Sequence, residues 1–291
     1  MAESVSSDLV YKPRTLGEAL SLVHMHPAAL IFSGGIEIML KRERVPHFTE
    51  NRRIIYIGDI KELSRISRTE RYLEIGTAAS LAKILNIGKN VIPDLFYQSL
   101  LVTGTPAVKN LATLGGNICA ASAYSTVLPA LFAMDARIEI RSVSRTSWVP
   151  VNHFVLSSGM NILKPGEMIT RIRIPFREWF FQAYRKIASR KTQRISNLVF
   201  CGLAKTLKNV LTDVRLAYGS IGPKILRNRE YEASFIGRKL PINGKDLEIL
   251  TSELGNTLER LTTDNPSSVY KKKTSVRLTR WFFEELNELI I

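Results

Sequence analysis

Two cysteines, Cys119 and Cys201, are all that 291 residues contain, and they form no CxxC pair. That scarcity excludes a disulfide framework, a zinc knot and an iron–sulfur cluster held by this chain alone. Histidine is nearly as rare. Of four copies only His24 and His26 stand close together, at the end of a predicted helix with no further ligand types beside them. The HExxH, GxSxG, GxGxxG and GxxxxGK(S/T) patterns are absent, which removes the familiar zinc-protease, nucleophile-elbow, dinucleotide-fingerprint and P-loop chemistries. No apolar run approaches the roughly 20 residues that a bilayer crossing needs, so no membrane insertion is expected. The opening "MAESVSSDLVYKPRTLGEAL" lacks a basic-then-apolar leader pattern, and the expected location is the cytoplasm. Acidic residues are the minority charge, 26 against 41 Lys and Arg, for a net charge of +15.

What is present begins with that surplus. It is dispersed in short groups, at Lys41–Arg44, Arg185–Arg194 and Lys271–Lys273. Dispersal fits a folded basic surface that meets an anionic ligand or an acidic partner, rather than a disordered basic tail. With 45% hydrophobic residues the chain can bury a sizeable core.

Periodicity and punctuation predict a helix over Thr15–Pro27, capped by Thr15 and stopped by the proline. A strand (Ala29–Phe32), a glycine turn (Ser33–Gly35) and a helix (Ile36–Glu43) follow. Further strands are predicted at Arg52–Ile60 and at Tyr72–Ser80, the latter running into a helix cap, and Leu81–Leu101 reads as mostly helical. Thr113–Asn117 reads as a tight turn, with strands after it near Ala136–Ser142 and Glu167–Ile174. Beyond Ile174–Pro175 an alternating strand starts near Phe180, then strands at Asn197–Lys205 and Val214–Ser220, a turn at Gly219–Pro223, and C-terminal helices. No regular βαβ rhythm appears, so the expected class is α+β. The expected division is 1–175, itself split into about 1–57 and 58–175, followed by 176–291.

Two glycine pairs follow apolar segments, "FSGGIE" (Phe32–Glu37) and "TLGGNI" (Thr113–Ile118). Glycine tolerates positive φ and has no Cβ, so backbone N–H groups can converge on an anion. A single such turn usually serves chain reversal alone. The second pair, however, continues into "NICAASAYS", whose small side chains leave room for a large flat ligand.

The chain resembles the FAD-binding medium subunit of the molybdenum hydroxylases, the family of xanthine dehydrogenase and carbon monoxide dehydrogenase. The family's first loop, "AGGT(D/E)", is matched by Ser33–Glu37. Its long second motif is matched by "TPAVKNLATLGGNICAASAYSTVLPALFAMDA", Thr105–Ala136, with "LKPGEMIT", "YRKIASRK" and "AYGSIGPKILRNREYEASFIG" as further echoes. The resemblance implies an α+β fold: a two-part FAD-binding domain of the PCMH or vanillyl-alcohol-oxidase type, then a smaller α+β C-terminal domain. It implies that Ser33, Gly34, Gly35, Ile36 and Glu37 form one FAD-pyrophosphate loop and Thr113, Gly115, Gly116 and Asn117 the other. Ala121, Ser122 and Thr126 would lie close to the cofactor, and Lys186 at the flavin edge, where a cation favours negative charge on the ring. It implies an oxidoreductase subunit that passes electrons from the 2Fe–2S clusters of a small partner subunit to NAD+ or another acceptor, beside a molybdopterin-containing large subunit.

Three positions depart from the family pattern: its usual loop threonine is Ile36, its proline is Ala123 and its aspartate is Thr126. Each lost polar contact removes about 0.5–1.5 kcal/mol, while main-chain contacts survive. These departures leave a second reading open, a scaffold subunit of such a complex that no longer carries flavin. A third reading is nucleic-acid binding by the basic, aromatic "FREWFFQAYRKIASRKTQR". Alternation argues against it by giving this strand a buried side, with Phe180, Gln182, Tyr184 and Lys186 on one face and Phe181, Ala183 and Ile187 on the other.

Overall fold

The computed structural model describes residues 10–44, 52–188, 197–261 and 266–290. Arg190, Lys191 and Arg194 of the basic group, and the end of the "YRKIASRK" echo, lie outside the described residues.

The chain enters through strand β1 (Val10–Tyr11) and helix α1 (Leu16–Met25). Thr15 caps α1 by accepting a hydrogen bond from the Glu18 amide, and the helix stops before Pro27. Strand β2 (Leu30–Phe32), helix α2 (Ile36–Arg44) and strand β3 (Ile54–Tyr56) follow; β3 lies between β1 and β2 and runs parallel to both. Ala19, Leu20 and Val23 of α1 pack onto Ile55, Ile57, Ile60 and Leu63.

A second, antiparallel sheet has the order β4-β5-β10-β6-β7. Its strands are β4 (Ile66–Arg68), β5 (Tyr72–Gly76), β6 (Arg137–Arg141), β7 (Thr146–Pro150) and β10 (Met168–Pro175). Between β7 and β10 come α8 (Val151–Phe154) and the small pair β8 (Val155–Ser157) and β9 (Met160–Asn161). The pleat sorts residues onto two faces. Leu73, Ile75, Ile138, Ile172 and Ile174 are buried on one, while Glu74, Arg171 and Arg173 share the other with Glu139.

The segment between β5 and β6 is helical: α3 (Leu81–Leu85), α4 (Asp94–Leu101), α5 (Pro106–Leu111), α6 (Leu114–Ala120) and α7 (Leu128–Ala133). The single helical stretch expected over Leu81–Leu101 is interrupted at Gly88, whose φ of +94° no helix accommodates, and α4 starts only after Pro93. The turn expected at Thr113–Asn117 is instead the cap and first turn of α6.

Strands β11 (Phe181–Ile187), β12 (Leu198–Leu207) and β13 (Val210–Gly219) form an antiparallel meander. Helices α9 (Arg229–Ala233), α10 (Gly244–Leu261) and α11 (Pro266–Glu288) complete the chain. Their core is aromatic: Phe235 and Phe283 stack at 4.3 Å, and Phe282 meets Phe283 and Phe200 edge-on. Tyr184 and Ala183, on opposite faces of β11, are both buried, while the next residue, Arg185, is exposed. Helix α4 packs against β11, and the Phe181 ring stacks on Phe282.

The chain forms two compact units. The first comprises the chain up to Val91 with Gly104–Ala121 and Ala136–Pro175; the second comprises Ile92–Thr103, Ser122–Asp135 and the chain from Phe176. In the second unit every residue of α7 is buried. Its terminal carbonyls are met by arginines: Arg227 donates to the Phe132 carbonyl (2.6 Å) and Arg215 to that of Ala133 (3.1 Å), with Asp135 paired to both guanidinium groups. Cations placed there complement the negative end of the helix.

Candidate functional site

The site is built from the two glycine loops, both in the first unit. The first leaves β2 at Phe32, turns through Ser33–Gly35 and enters α2. Gly35 takes φ +70°, and a Cβ there would strike the Phe32 ring at 2.3 Å, so the turn requires glycine twice over. Among the described residues the amides of Ser33, Gly34, Gly35 and Ile36 donate to no protein acceptor. These are successive N–H groups in a turn with a left-handed glycine, opening into a helix N-terminus. Such a nest complements an anion by geometry and by dipole.

The second loop is stitched differently. Thr113 caps α6, its Oγ1 accepting from the Gly116 amide at 3.1 Å. The remaining first-turn amides also have partners: Leu114 donates to the Ala79 carbonyl (3.1 Å), Gly115 to that of Thr77 (3.0 Å) and Asn117 to that of Thr113 (3.0 Å). Leu81 donates back to the Ala112 carbonyl (2.9 Å), binding the loop to the small-residue run after β5. The glycine at 115 is therefore a packing requirement, since a Cβ would lie 1.8 Å from Thr77 Oγ1 and 2.6 Å from its carbonyl oxygen. Gly116 is exposed and meets only Thr113 Oγ1, at 3.0 Å.

The loops touch. A Cβ on Gly34 would fall 1.8 Å from the carbonyl oxygen of Leu111, two residues before the Thr113 cap. Ser33–Glu37 and Thr113–Asn117, 76 or more positions apart in sequence, thus converge on one place. Backbone so closely apposed, with main-chain donors left open, fits a diphosphate approached without intervening side chains.

Ala121 ends α6 in the left-handed region (φ +47°), its carbonyl accepting from the Gly159 amide. Ser122, Thr126 and Lys186 belong to the second unit. Ser122 Oγ accepts from the Tyr124 amide, making a local turn. Thr126 is buried; its hydroxyl lies 2.6 Å from that of Thr103, and its carbonyl accepts from Tyr184 Oη at 2.8 Å. Lys186 Nζ donates to the Val102 carbonyl at the C-terminal end of α4 (3.1 Å), and burial lowers its pKa from the ordinary lysine value.

The sequence reading missed Thr77, Ala79 and Leu111, whose carbonyls assemble the loops, and Thr103 and Tyr184, which hold Thr126. The small-residue run "GTAAS" at Gly76–Ser80 was the visible signal for the first group. Tertiary pairing of Thr103 and Tyr184 with Thr126 leaves no local mark. Among the described residues, no group of three or more His, Cys, Asp or Glu side chains could hold a metal ion, and no helix is long and apolar enough to cross a membrane.

A family model described as the FAD binding domain in molybdopterin dehydrogenase matches residues 3–177, and one described as the CO dehydrogenase flavoprotein C-terminal domain matches 182–286. The chain is 27% identical over 250 residues to the xanthine dehydrogenase FAD-binding subunit of Escherichia coli O157:H7, covering 84% of each. It is 27% identical over 276 residues to the nicotinate dehydrogenase FAD-subunit of Eubacterium barkeri, covering 91% of this chain and 90% of that one. Its fold matches a chain of carbon monoxide dehydrogenase from Hydrogenophaga pseudoflava with a TM-score of 0.82 at 19% identity, covering 94% of this chain and 95% of the other.

Proposed function

Because the chain belongs to the family of FAD-binding domains of molybdopterin dehydrogenases, we propose that it is the FAD-carrying electron-transfer subunit of a molybdenum hydroxylase. It would work in the cytoplasm beside a molybdopterin-containing large subunit and a 2Fe–2S small subunit, with NAD+ or another oxidant as final acceptor. Residues 1–175, in parts of about 1–57 and 58–175, are read as the cofactor-holding portion and 176–291 as the C-terminal portion.

The observation that carries the reading is the contact of Gly34 with the Leu111 carbonyl, beside amides at Ser33–Ile36 that no described protein group accepts from. In this reading Ser33–Ile36 donate main-chain N–H groups to the diphosphate of FAD, and Glu37 completes the loop. Thr113, Gly115, Gly116, Asn117 and Ala121 form the adjoining wall, kept free of bulky side chains. The assignment of Ser122, Thr126 and Lys186 as cofactor-contacting groups rests on the family resemblance. Bound FAD supplies two-electron exchange with the acceptor and one-electron exchange with iron–sulfur clusters. The chain's own work is to hold and orient it. Main-chain donors do so with little conformational entropy lost on binding, since the turn is already formed. The basic surface, net +15, suits docking to a more acidic subunit.

Purifying the chain without added cofactor and denaturing it should release about one FAD per chain, read by absorbance and fluorescence. A colourless protein that also takes up no FAD on reconstitution would overturn the proposal in favour of the flavin-free scaffold suggested by Ile36, Ala123 and Thr126.

A further inference from the structure

The polar face of the β4-β5-β10-β6-β7 sheet carries a cavity of about 390 Å³ within the first unit. Its floor is the strand itself. Gly76 has no side chain, and a Cβ there would meet the Leu63 carbonyl oxygen at 2.2 Å, so the short 3-10 turn Lys61–Ser64 lies flat against β5. Leu16, at the start of α1, and Leu63 supply apolar wall, and the Glu62 carboxylate is held at the rim by the Leu16 amide.

The charges around this cavity are unevenly matched. Glu74 is taken by Arg173 and Arg171. Glu139, buried behind the cavity, receives both Nε and Nη2 of Arg171 and the hydroxyl of Thr170. A bulge in β10 between Ile169 and Arg171 lets two successive residues reach that one carboxylate. Bulges often re-aim side chains beside functional sites. Arg141, on the same face one pleat beyond Glu139, acts on that carboxylate through its charge but keeps an open donor. Its Nε is buried and has no hydrogen-bond partner among the described residues. Arg65 and Ser67 add a further guanidinium and a hydroxyl to a lining that also includes Thr170 and Arg171.

We propose that this cavity binds a small organic anion, an oxyanion head group on a short apolar stem, with Arg141 as its principal donor. An arginine fork matches carboxylate and phosphate oxygens in plane. The orphan Nε gains a partner on binding. Glu74 and Glu139, paired with Arg171 and Arg173, repel a second anion less than bare charges would, while Glu62, held among the described residues only by the Leu16 amide, keeps its charge at the rim. The stem lies along Leu16 and Leu63. A volume of this size falls in the range of small-molecule sites. The proposal does not rest on the cofactor reading, because none of its residues belongs to either glycine loop.

The test is calorimetric titration of the full chain at about 0.15 M salt, where non-specific surface attraction is largely screened. The probes are hexanoate, hexyl phosphate, inorganic phosphate and hexylamine. Saturable one-to-one binding of at least one hexyl anion is expected, at least tenfold tighter than inorganic phosphate, with none for hexylamine. Arg141→Gln should weaken it at least tenfold, and Ser67→Phe, which fills the cavity and leaves every guanidinium in place, should abolish it. Arg145→Gln, on the exposed β6–β7 hairpin, should change nothing. Thermal melts identify any variant that fails to fold, and Ser67→Phe decides if Arg141→Gln does. Absence of saturable binding, equal affinity for inorganic phosphate, or unchanged affinity in Ser67→Phe overturns the proposal.

Discussion

The two glycine loops look alike in sequence and differ in what their backbones do. At Ser33–Ile36 the amides are open; at Leu114–Asn117 every one is already bonded, to Ala79, Thr77 or Thr113. Both loops exclude Cβ atoms, yet for unlike reasons. Gly34 lets one loop touch the other, whereas Gly115 lets α6 sit on the end of β5. The same residue pair thus serves ligand presentation in one place and packing in the other, and a glycine pair alone does not say which.

The largest expected effect comes from separating these roles. Gly34→Ala drives a Cβ into the Leu111 carbonyl. Overpacking of this kind costs about 1–3 kcal/mol or more, and because it parts the loops it should also weaken FAD retention at least tenfold. Gly115→Ala collides with Thr77 just as hard and should destabilise by a comparable ~1–3 kcal/mol, but leave FAD affinity per folded molecule within about threefold, a fold-change worth under ~1 kcal/mol. Paired melts and FAD titrations of the two variants decide the matter; greater cofactor loss in Gly115→Ala would break the distinction.

A smaller effect sharpens it. Thr113→Ala removes the cap of α6 and leaves the Gly116 amide unbonded. About 1 kcal/mol of stability should go, as for other caps. The freed amide becomes a possible donor to an anion, so FAD affinity should stay level or rise in fluorescence titration. A fall larger than the stability loss would show Thr113 contacting the cofactor directly.

The smallest effect near neutral pH is an acid titration. For Glu139, burial alone would raise the pKa, but hydrogen bonds from Arg171 and Thr170 and the Arg171 charge outweigh it and hold the carboxyl below its usual range. In the second unit Asp135 follows suit: burial pushes up, and Arg227, Arg215 and Arg229 push down further. A lowered folded-state pKa means that the stabilisation is complete above the unfolded value of about 4 and is lost as pH falls through the folded one. Stability should therefore drop below about pH 4, and Glu139→Gln should make that acid limb shallower in circular-dichroism melts. Cofactor and fold should be lost together, since neither carboxylate belongs to a loop. Release of FAD well before unfolding would point to a titrating group inside the cradle.

Much of this architecture was legible where the signal is local. Thr15 and Ser80 announce their helices as caps, and the caps form as expected. The convergence of the glycine loops was implied by the family resemblance, and the later strands were legible as segments along the chain from their alternation. Thr113–Asn117 misled because two glycines, each costing about 1 kcal/mol in a helix, argue for a turn. What overrides them is acceptance by the Thr77 and Ala79 carbonyls, contributed more than 30 residues upstream. Alternation sorts Tyr184 with Phe180 but does not say which face is covered: Phe180 is 47% exposed and Tyr184 5%, with α4 packed against the strand. Short strands such as β4, β8 and β9 carry too few residues to show a period at all.

The path of the chain between the two units has a practical consequence. The polypeptide passes from one to the other at 91/92, 103/104, 121/122, 135/136 and 175/176. Helices α4 and α7 are therefore encoded in the first half of the gene but pack on β11–β13, encoded in the second. Scissors at codon 175 would deliver one fragment with two orphaned greasy helices and another with a bare sheet. Reporter fusions, split-protein assays and shuffled libraries would do better to cut elsewhere, at an exposed hairpin tip such as Ser144–Arg145.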